Sequence, residues 1–286
     1  MIVDSHCHAW RRWPYEPPVP DPDSRGRVEQ LLFEMDQHSV DMAAIVCARI
    51  GGNDDNVAYA IEAAAAHPGR ILAFPDLDCS WSAHYHRPGV ADRLRALLDL
   101  GPVCGISHYL DERNDGWLRS EEARALFALA QEHELLVTLA VQPEWHADLR
   151  TLAADFPTVP VLCNHLGLSR TPAELDDLMR SAAVPSILIK VSGWYYGAPG
   201  YRLPREWDFP YAGTLAREAE RRIYETFGPH RMCWGSDYPV SRERMTYRQT
   251  LEAFRTHCDF VAPADRELVL GGTFARLLET RRPLEP

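Results

Sequence analysis

Short, mostly apolar runs alternate along this chain with longer stretches whose apolar residues recur every three or four positions. The runs at 2–5, 42–47, 71–74, 103–107, 135–141, 159–163, 187–191 and 231–234 have the length and composition of strands. The stretches between them read as helices. Residues 120–133 are the clearest case. Ser120 is placed to cap, Glu121 and Glu122 suit the first turn, and Ala123, Leu126, Phe127 and Ala130 share one face. A helix at 25–39 is expected to be capped by Ser24, and an alanine-rich helix at 56–67 stops at Pro68-Gly69. Others are expected at 90–100, 143–156, 172–182, 214–227, 247–257 and 264–279. Residues 11–23, rich in proline and aromatics, read as an ordered loop over the end of the first strand.

Strands that are apolar throughout, rather than on alternate residues, belong to a parallel sheet covered on both faces. Eight of them separated by helices predict a single-domain α/β fold, a (β/α)8 TIM barrel spanning residues 1–286. Neither G-x-G-x-x-G nor a P-loop follows the first strand, which argues against an open nucleotide-binding sheet.

Composition narrows the partners. At 46% hydrophobic and 25% charged residues the chain has material for a large core, and its net charge of -11 argues against nucleic acid or an anionic membrane surface. No apolar run approaches the roughly 20 residues of a membrane span, and the N-terminus lacks the basic and apolar regions of a signal peptide. The seven cysteines form no C-x-x-C and sit mostly in apolar runs, so they read as reduced, buried thiols of a cytoplasmic protein. Lys190 is the single lysine, and any mechanism needing a reactive or carbamylated lysine has that one candidate.

In a barrel of this kind the chemistry lies at the C-terminal strand ends. The first strand ends in Asp4-Ser5-His6-Cys7-His8, where alternation puts His6 and His8 on one face and Cys7 on the other. Arg49, Asp76, His108, Gln142, His165, Ser192 and Asp237 follow the next seven strands. An isolated H-x-H is as readily two ordinary histidines as half a metal site. Its weight comes from convergence with His165 and Asp237 on one barrel mouth. His6, His8, His165 and Asp237 suit a divalent ion such as zinc, whose sites use histidine nitrogen and carboxylate oxygen. Such an ion acidifies bound water and polarises a carbonyl. Asp237 is also placed to act as general base toward that water.

DSHCH at 4–8, NHLG at 164–167, WGSDYP at 234–239 and LGGTFARLL at 270–278 together resemble the amidohydrolase superfamily. More narrowly they resemble its amidohydrolase-related branch of small barrel hydrolases, which includes sugar lactonases and a pyrone-dicarboxylate lactonase. Residues 105–121 resemble that branch's segment after the fourth strand, where Gly-Ile-Arg-His is usual. The resemblance implies that Asp237 deprotonates the attacking water, while His6, His8 and His165 bind metal or orient the carbonyl. Asp237 and His165 are thereby the catalytic candidates. The departures matter as well. No lysine lies near the fourth or fifth strand, which counts against a lysine-bridged pair of metals. Only one later histidine, His165, is well placed, which counts against the branch's decarboxylases. Ser107 stands where the branch often has arginine. One divalent ion is therefore expected, Zn2+ ahead of Mn2+, with a metal-free site as the alternative.

Further residues are candidates for substrate contact. His108 is placed to hydrogen-bond a substrate oxygen or to be a structural histidine under the loops. Arg49 and Arg170 are suited to a carboxylate, or else to surface ion pairs. Trp194, with Trp10, Trp81, Tyr195, Tyr196 and Trp207, is expected to line the mouth. Tyr238 is expected to help position substrate beside Asp237. Asn53 is explained by turn formation, His146 by a solvated helix surface, and Lys190 by a place among polar groups inside the barrel. The expected function is a hydrolase that opens a small cyclic ester or related carbonyl compound. Its substrate enters between loops 9–23, 76–90 and 192–212. The alternatives are a metal-dependent decarboxylase of an aromatic or unsaturated acid, and a non-catalytic ligand-binding barrel. A homo-oligomer is compatible with the sequence.

Overall fold

The eight apolar runs form eight parallel strands in a computed structural model that describes residues 1–16, 18–101, 103–193 and 215–280. The strands are β1 (Val3–Cys7), β2 (Met42–Val46), β3 (Ile71–Phe74), β4 (Gly105–Tyr109), β5 (Leu136–Ala140), β6 (Val161–Cys163), β7 (Ile187–Val191) and β8 (Met232–Trp234). The helices α1 (Val28–His38), α2 (Asn56–Ala66), α3 (Val90–Leu98), α4 (Glu121–Glu132), α5 (His146–Asp155), α6 (Pro172–Arg180) and α7 (Leu215–Phe227) lie between them in chain order. After β8 come α8 (Tyr247–His257), α9 (Pro263–Glu267) and α10 (Thr273–Glu279). This is the α/β barrel that the pattern predicted.

Continuous ladders run β1-β2-β3 and β4-β5-β6-β7-β8. Two seams join them, and both are made at the C-terminal strand ends. At the first, Ser107 N–H donates to Pro75 O at 2.8 Å and Leu77 N–H to Ser107 O at 2.8 Å. At the second, Asp237 N–H donates to His6 O at 2.8 Å and His8 N–H to Tyr238 O at 2.6 Å. The residues of the candidate site therefore also close the barrel.

Strand parity divides the core. Ala44, Val46, Phe74, Leu136, Leu162, Leu188 and Cys233 fill the barrel interior, with Phe274 of α10 against Phe74. Residues of opposite parity, such as Ala43, Ile45, Ile106, Val137, Cys163 and Ile189, pack against the helices. β1 departs from this rule. Val3 faces the interior, so simple alternation would turn His6 outward. A register shift between Asp4 and Cys7 resets the faces. It leaves Cys7 in the outer layer and sends His6 inward.

Two local expectations change. Ser24 does not cap α1, which starts at Val28 after Arg27; its hydroxyl donates instead to Asp21 O in a turn at 3.4 Å. Residues 264–279 are not one α-helix, because a π-helical turn at Leu268–Gly272 separates α9 from α10. The turn presses Gly271 onto β1, where a Cβ would stand 2.5 Å from Met1 O and 2.9 Å from Val3 N. That approach requires glycine and anchors the last helix under the barrel floor.

Candidate active site

Asp237 follows β8 in the left-handed region at φ 56°, is 1% exposed, and points into the mouth. Its Oδ1 lies 3.2 Å from His8 Nε2 and 3.5 Å from His6 Nε2. The His165 ring stacks edge-on at 4.6 Å from that of His6. His6, His165 and Asp237 each offer one ligand atom within 4.8 Å of the others. Three of the four residues named from the strand ends thus meet as one ligand set, and His8 joins them through Asp237.

Each imidazole has one nitrogen engaged from behind. His8 Nδ1–H donates to Val46 O at 2.6 Å, His165 Nδ1 meets Ser192 Oγ at 3.1 Å, and His6 Nδ1 meets Lys190 Nζ at 3.5 Å. Trp10, buried and bonded to Ala48 O, stacks on His8. Such rear contacts fix ring orientation and tautomer. They also pose an electrostatic problem. In its neutral form, with the proton on Nδ1, His8 would turn the Nε2 lone pair toward an anionic oxygen at 3.2 Å. His6 Nε2, sealed from solvent, has no hydrogen-bond partner. A cation among these atoms resolves both. Ligand atoms at the usual zinc distance around a tetrahedral ion lie about 3.3 Å apart, and the two observed separations bracket that value. The residues fit a divalent ion.

Burial dominates the titration of the site. It pulls His6 well below its ordinary value, helped by the charge of Lys190. It also takes His165 down to about 4 and Lys190 to about 7. For Asp237 burial works upward, but His165, His6 and His8 more than offset it and hold the carboxyl well below its usual range.

A second carboxylate, Asp4, underpins the arrangement. It is fully buried and accepts from Ser236 N at 2.9 Å, Ser236 Oγ at 2.5 Å, Tyr247 Oη at 3.0 Å and His6 N at 3.2 Å. Burial still pushes it up to about 6. Asp4 ties the residue before Asp237 to the residue at the β1 shift, and so sets the distance between base and histidines. A carboxylate directly after the apolar Ile2-Val3, inside the first strand, was the available signal for it.

Several expected contacts lie elsewhere. His108 shares the outward parity of Ile106. Its Nδ1 donates to Leu77 O at 2.7 Å, its Nε2 faces His86 Nε2 at 3.4 Å, and Trp117 packs on the ring. It belongs to the scaffold behind β4 rather than to the mouth. Tyr238 also turns away, with its ring buried against Tyr247, and contributes to the seam through its carbonyl. Arg49 reaches the strand ends but is held by Asp76, which accepts from its Nε at 2.7 Å, its backbone N–H at 3.0 Å and, through the carbonyl, its Nη2 at 3.1 Å. Arg170 is exposed in a cleft with Glu112, Glu144 and Glu174, beyond the ends of β5 and β6. Asn53 is spent on the turn carbonyl of Ile50. Trp194, Tyr195, Tyr196 and Trp207, with most of loop 192–212, lie outside the described residues. His146 is not solvated. At 1% exposure it donates from Nε2 to Gly167 O at 3.0 Å, bracing the left-handed turn that carries His165. Tyr109 was missed by sequence reasoning. It shares the inward parity of Ser107, a face that the doubly buried β4 does not mark in the sequence.

The amidohydrolase family model matches residues 3–280. L-fucono-1,5-lactonase of Burkholderia ambifaria is 27% identical over 183 residues, 60% of this chain and 60% of that protein. L-fucono-1,5-lactonase of Burkholderia multivorans is 23% identical over 306 residues, covering 100% of this chain and 98% of the relative. A crystal structure of an amidohydrolase from Burkholderia multivorans with bound zinc superposes with a TM-score of 0.77 at 21% identity, over 98% of this chain and 99% of that one. With eight parallel strands closed at their C-terminal ends around His6, His8, His165 and Asp237, and a family match from the first strand to the last helix, this chain belongs to the amidohydrolase family.

Proposed function

We propose that this protein is a lactone-opening hydrolase in which Asp237 takes the proton of an attacking water. The observation that carries the reading is a sealed, ionised Asp237 with the Nε2 atoms of His6 and His8 at 3.5 and 3.2 Å. The similarity to L-fucono-1,5-lactonases supports a cyclic ester as substrate. Water attacks the ester carbonyl as its proton passes to Asp237. The ring C–O bond then breaks, and the departing alkoxide takes that proton back from Asp237 to leave a hydroxy acid. His165, braced by Ser192 and by the turn that His146 supports, orients the carbonyl. Lys190 and Val46 O hold the other two rings in register.

We assign one divalent ion, Zn2+ before Mn2+, to His6, His8, His165 and Asp237. A carboxyl as acidic as Asp237 is a weak base toward ordinary water. When bound, such an ion supplies a water with a pKa near 7 and an electrophile for the carbonyl oxygen. Seven free cysteines, six of them buried, support a reducing, cytoplasmic location, and no helix among the described residues is long and apolar enough to cross a membrane.

The test is acid release from a lactone panel that includes sugar 1,5-lactones, followed with a pH indicator with and without added Zn2+ or Mn2+. Asp237→Asn is expected to lower turnover by about 10²- to 10⁴-fold. Turnover undiminished in that variant sinks the base assignment. CO2 release from aromatic acids, with no lactone opened, moves the protein to the decarboxylase alternative.

A further inference from the structure

Three of the buried polar atoms without partners lie on one side of the barrel interior. Among the described residues, Ser107 Oγ, Tyr109 Oη and Asn164 Nδ2 are sealed from solvent and make no hydrogen bond. Ser107 and Tyr109 occupy the inward positions of β4, two residues apart, and Asn164 follows inward Leu162 at the end of β6. Thr138 of β5, in register with Ser107, fills the space between and donates to Asn164 Oδ1 at 2.9 Å. That bond leaves the amide nitrogen of Asn164 unmatched. Three orphaned groups on the two strands that flank β5 are a cost to the folded state, and groups of this kind need an explanation such as a ligand.

The wall is also uncharged. Burial keeps the Tyr109 phenol protonated by raising it well above its ordinary value, and Asp237 is the charged group that acts on it most strongly. Arg49, the cation at the neighbouring strand end, is spent on Asp76. Neutral O–H and N–H donors opposite an anionic base match hydroxyl and ring oxygens better than a carboxylate, for which a bidentate cation is the better partner.

We propose that the β4–β6 wall binds the hydroxyl groups of a neutral, polyhydroxylated lactone, and that Tyr109, at the mouth end of β4, sets this specificity. The proposal rests on the lactone reading for its reaction but not for its binding. Two pairs of probes separate the two. D-glucono-1,5-lactone and δ-valerolactone share a six-membered ester ring and differ in their hydroxyls; 1,5-anhydroglucitol and tetrahydropyran are the same contrast without the ester. Tyr109→Phe is expected to raise KM for the hydroxylated lactone about tenfold, and for δ-valerolactone less than about threefold. Binding of 1,5-anhydroglucitol, read by calorimetry, weakens by the same factor. Tm stays level or rises, because the hydroxyl has no protein partner to lose. A structural role for Tyr109 predicts instead a lower Tm and equal losses on both lactones. Equal losses, no loss, or failure of 1,5-anhydroglucitol to bind the wild-type protein each overturn the proposal. If the wild type opens neither lactone yet binds the polyol through Tyr109, the wall stands and the hydrolase reading falls.

Discussion

Gly235, just after β8, packs directly against His6 of β1, between two of the three strand ends that carry the cluster. A Cβ there would lie 2.7 Å from His6 Cβ, 2.9 Å from His6 N and 3.2 Å from His6 Cα. Non-bonded carbons rest at about 3.5 Å or more, so Gly235→Ala must separate β8 from β1 by about 0.8 Å. The seam bonds, at 2.6 Å for His8 N to Tyr238 O and 2.8 Å for Asp237 N to His6 O, would then stretch past the range of a sound hydrogen bond. Overpacking of this kind costs about 1–3 kcal/mol, which lowers Tm by about 2–4 °C per kcal/mol in a chain of this size. The same displacement moves Asp237 off the histidines, and a misplacement near 1 Å costs about 10²-fold in rate. Calorimetry and kcat/KM on a lactone read both effects. Gly69→Ala is the comparison: its φ is 75° with nothing within 4 Å of a Cβ, and it precedes β3 at the far end of the barrel. It is expected to lose stability and keep activity. Gly235→Ala with kcat/KM within twofold of the wild type would refute the claim that this seam sets the site.

Other expectations follow from the same geometry. Ser192→Ala removes the hydroxyl 3.1 Å from His165 Nδ1 and should weaken zinc binding by about 10- to 100-fold, read by competition with a chromogenic chelator. His146→Ala leaves a buried gap and drops the bond to Gly167 O; it should cost about 2–4 kcal/mol and reduce kcat, with His146→Gln recovering part of both. His108 is held at about 4 in the fold against 6.5 ordinarily. The unfolded chain binds the extra proton between those values, so stability is lost as pH falls through that window, by at most about 3 kcal/mol from this group. His165 acts in the same direction. His108→Gln should therefore flatten the fall of Tm between pH 6.5 and 4.

The barrel was legible because its signal is redundant. Eight apolar runs and intervening helical periodicities predict the same fold, and errors of one or two residues at each end leave it unchanged. Convergence of His6, His8, His165 and Asp237 was legible for the same reason, since strand ends of a barrel meet at one mouth. What escaped was the face each residue presents. Strands buried on both sides carry apolar residues at both parities, so β4 does not reveal from sequence that His108 points outward while Ser107 and Tyr109 point inward. The β1 shift that turns His6 inward is equally silent, because it depends on pairing with β2. His146 was misjudged because a histidine on a helix is usually solvated, whereas this one packs beneath the turn after β6.

Lys190 lies where stability and function pull apart. It is fully buried, with its Nζ 3.5 Å from His6 Nδ1 and 5.8 Å from the centre of the Phe74 ring. The layer beneath it is Leu136, Leu162, Leu188 and Phe74, which provides nothing to solvate an amine. Desolvating a cation there costs several kcal/mol, and apolar replacements of buried charges are often neutral or stabilising by about 1–4 kcal/mol. Lys190→Met removes that cost and leaves His6 Nδ1 without its partner, which costs about 1–3 kcal/mol. The two effects nearly cancel, so Tm should move by only a few degrees in either direction. Activity should not be spared. Whichever member of the Lys190–His6 pair carries the bridging proton, the contact holds the ring whose Nε2 faces Asp237. Freed to rotate, His6 loses both its tautomer and its aim, and kcat/KM should fall by at least about tenfold. A collapse of Tm would make Lys190 a structural residue. Full activity at unchanged Tm would show that His6 needs no support from β7.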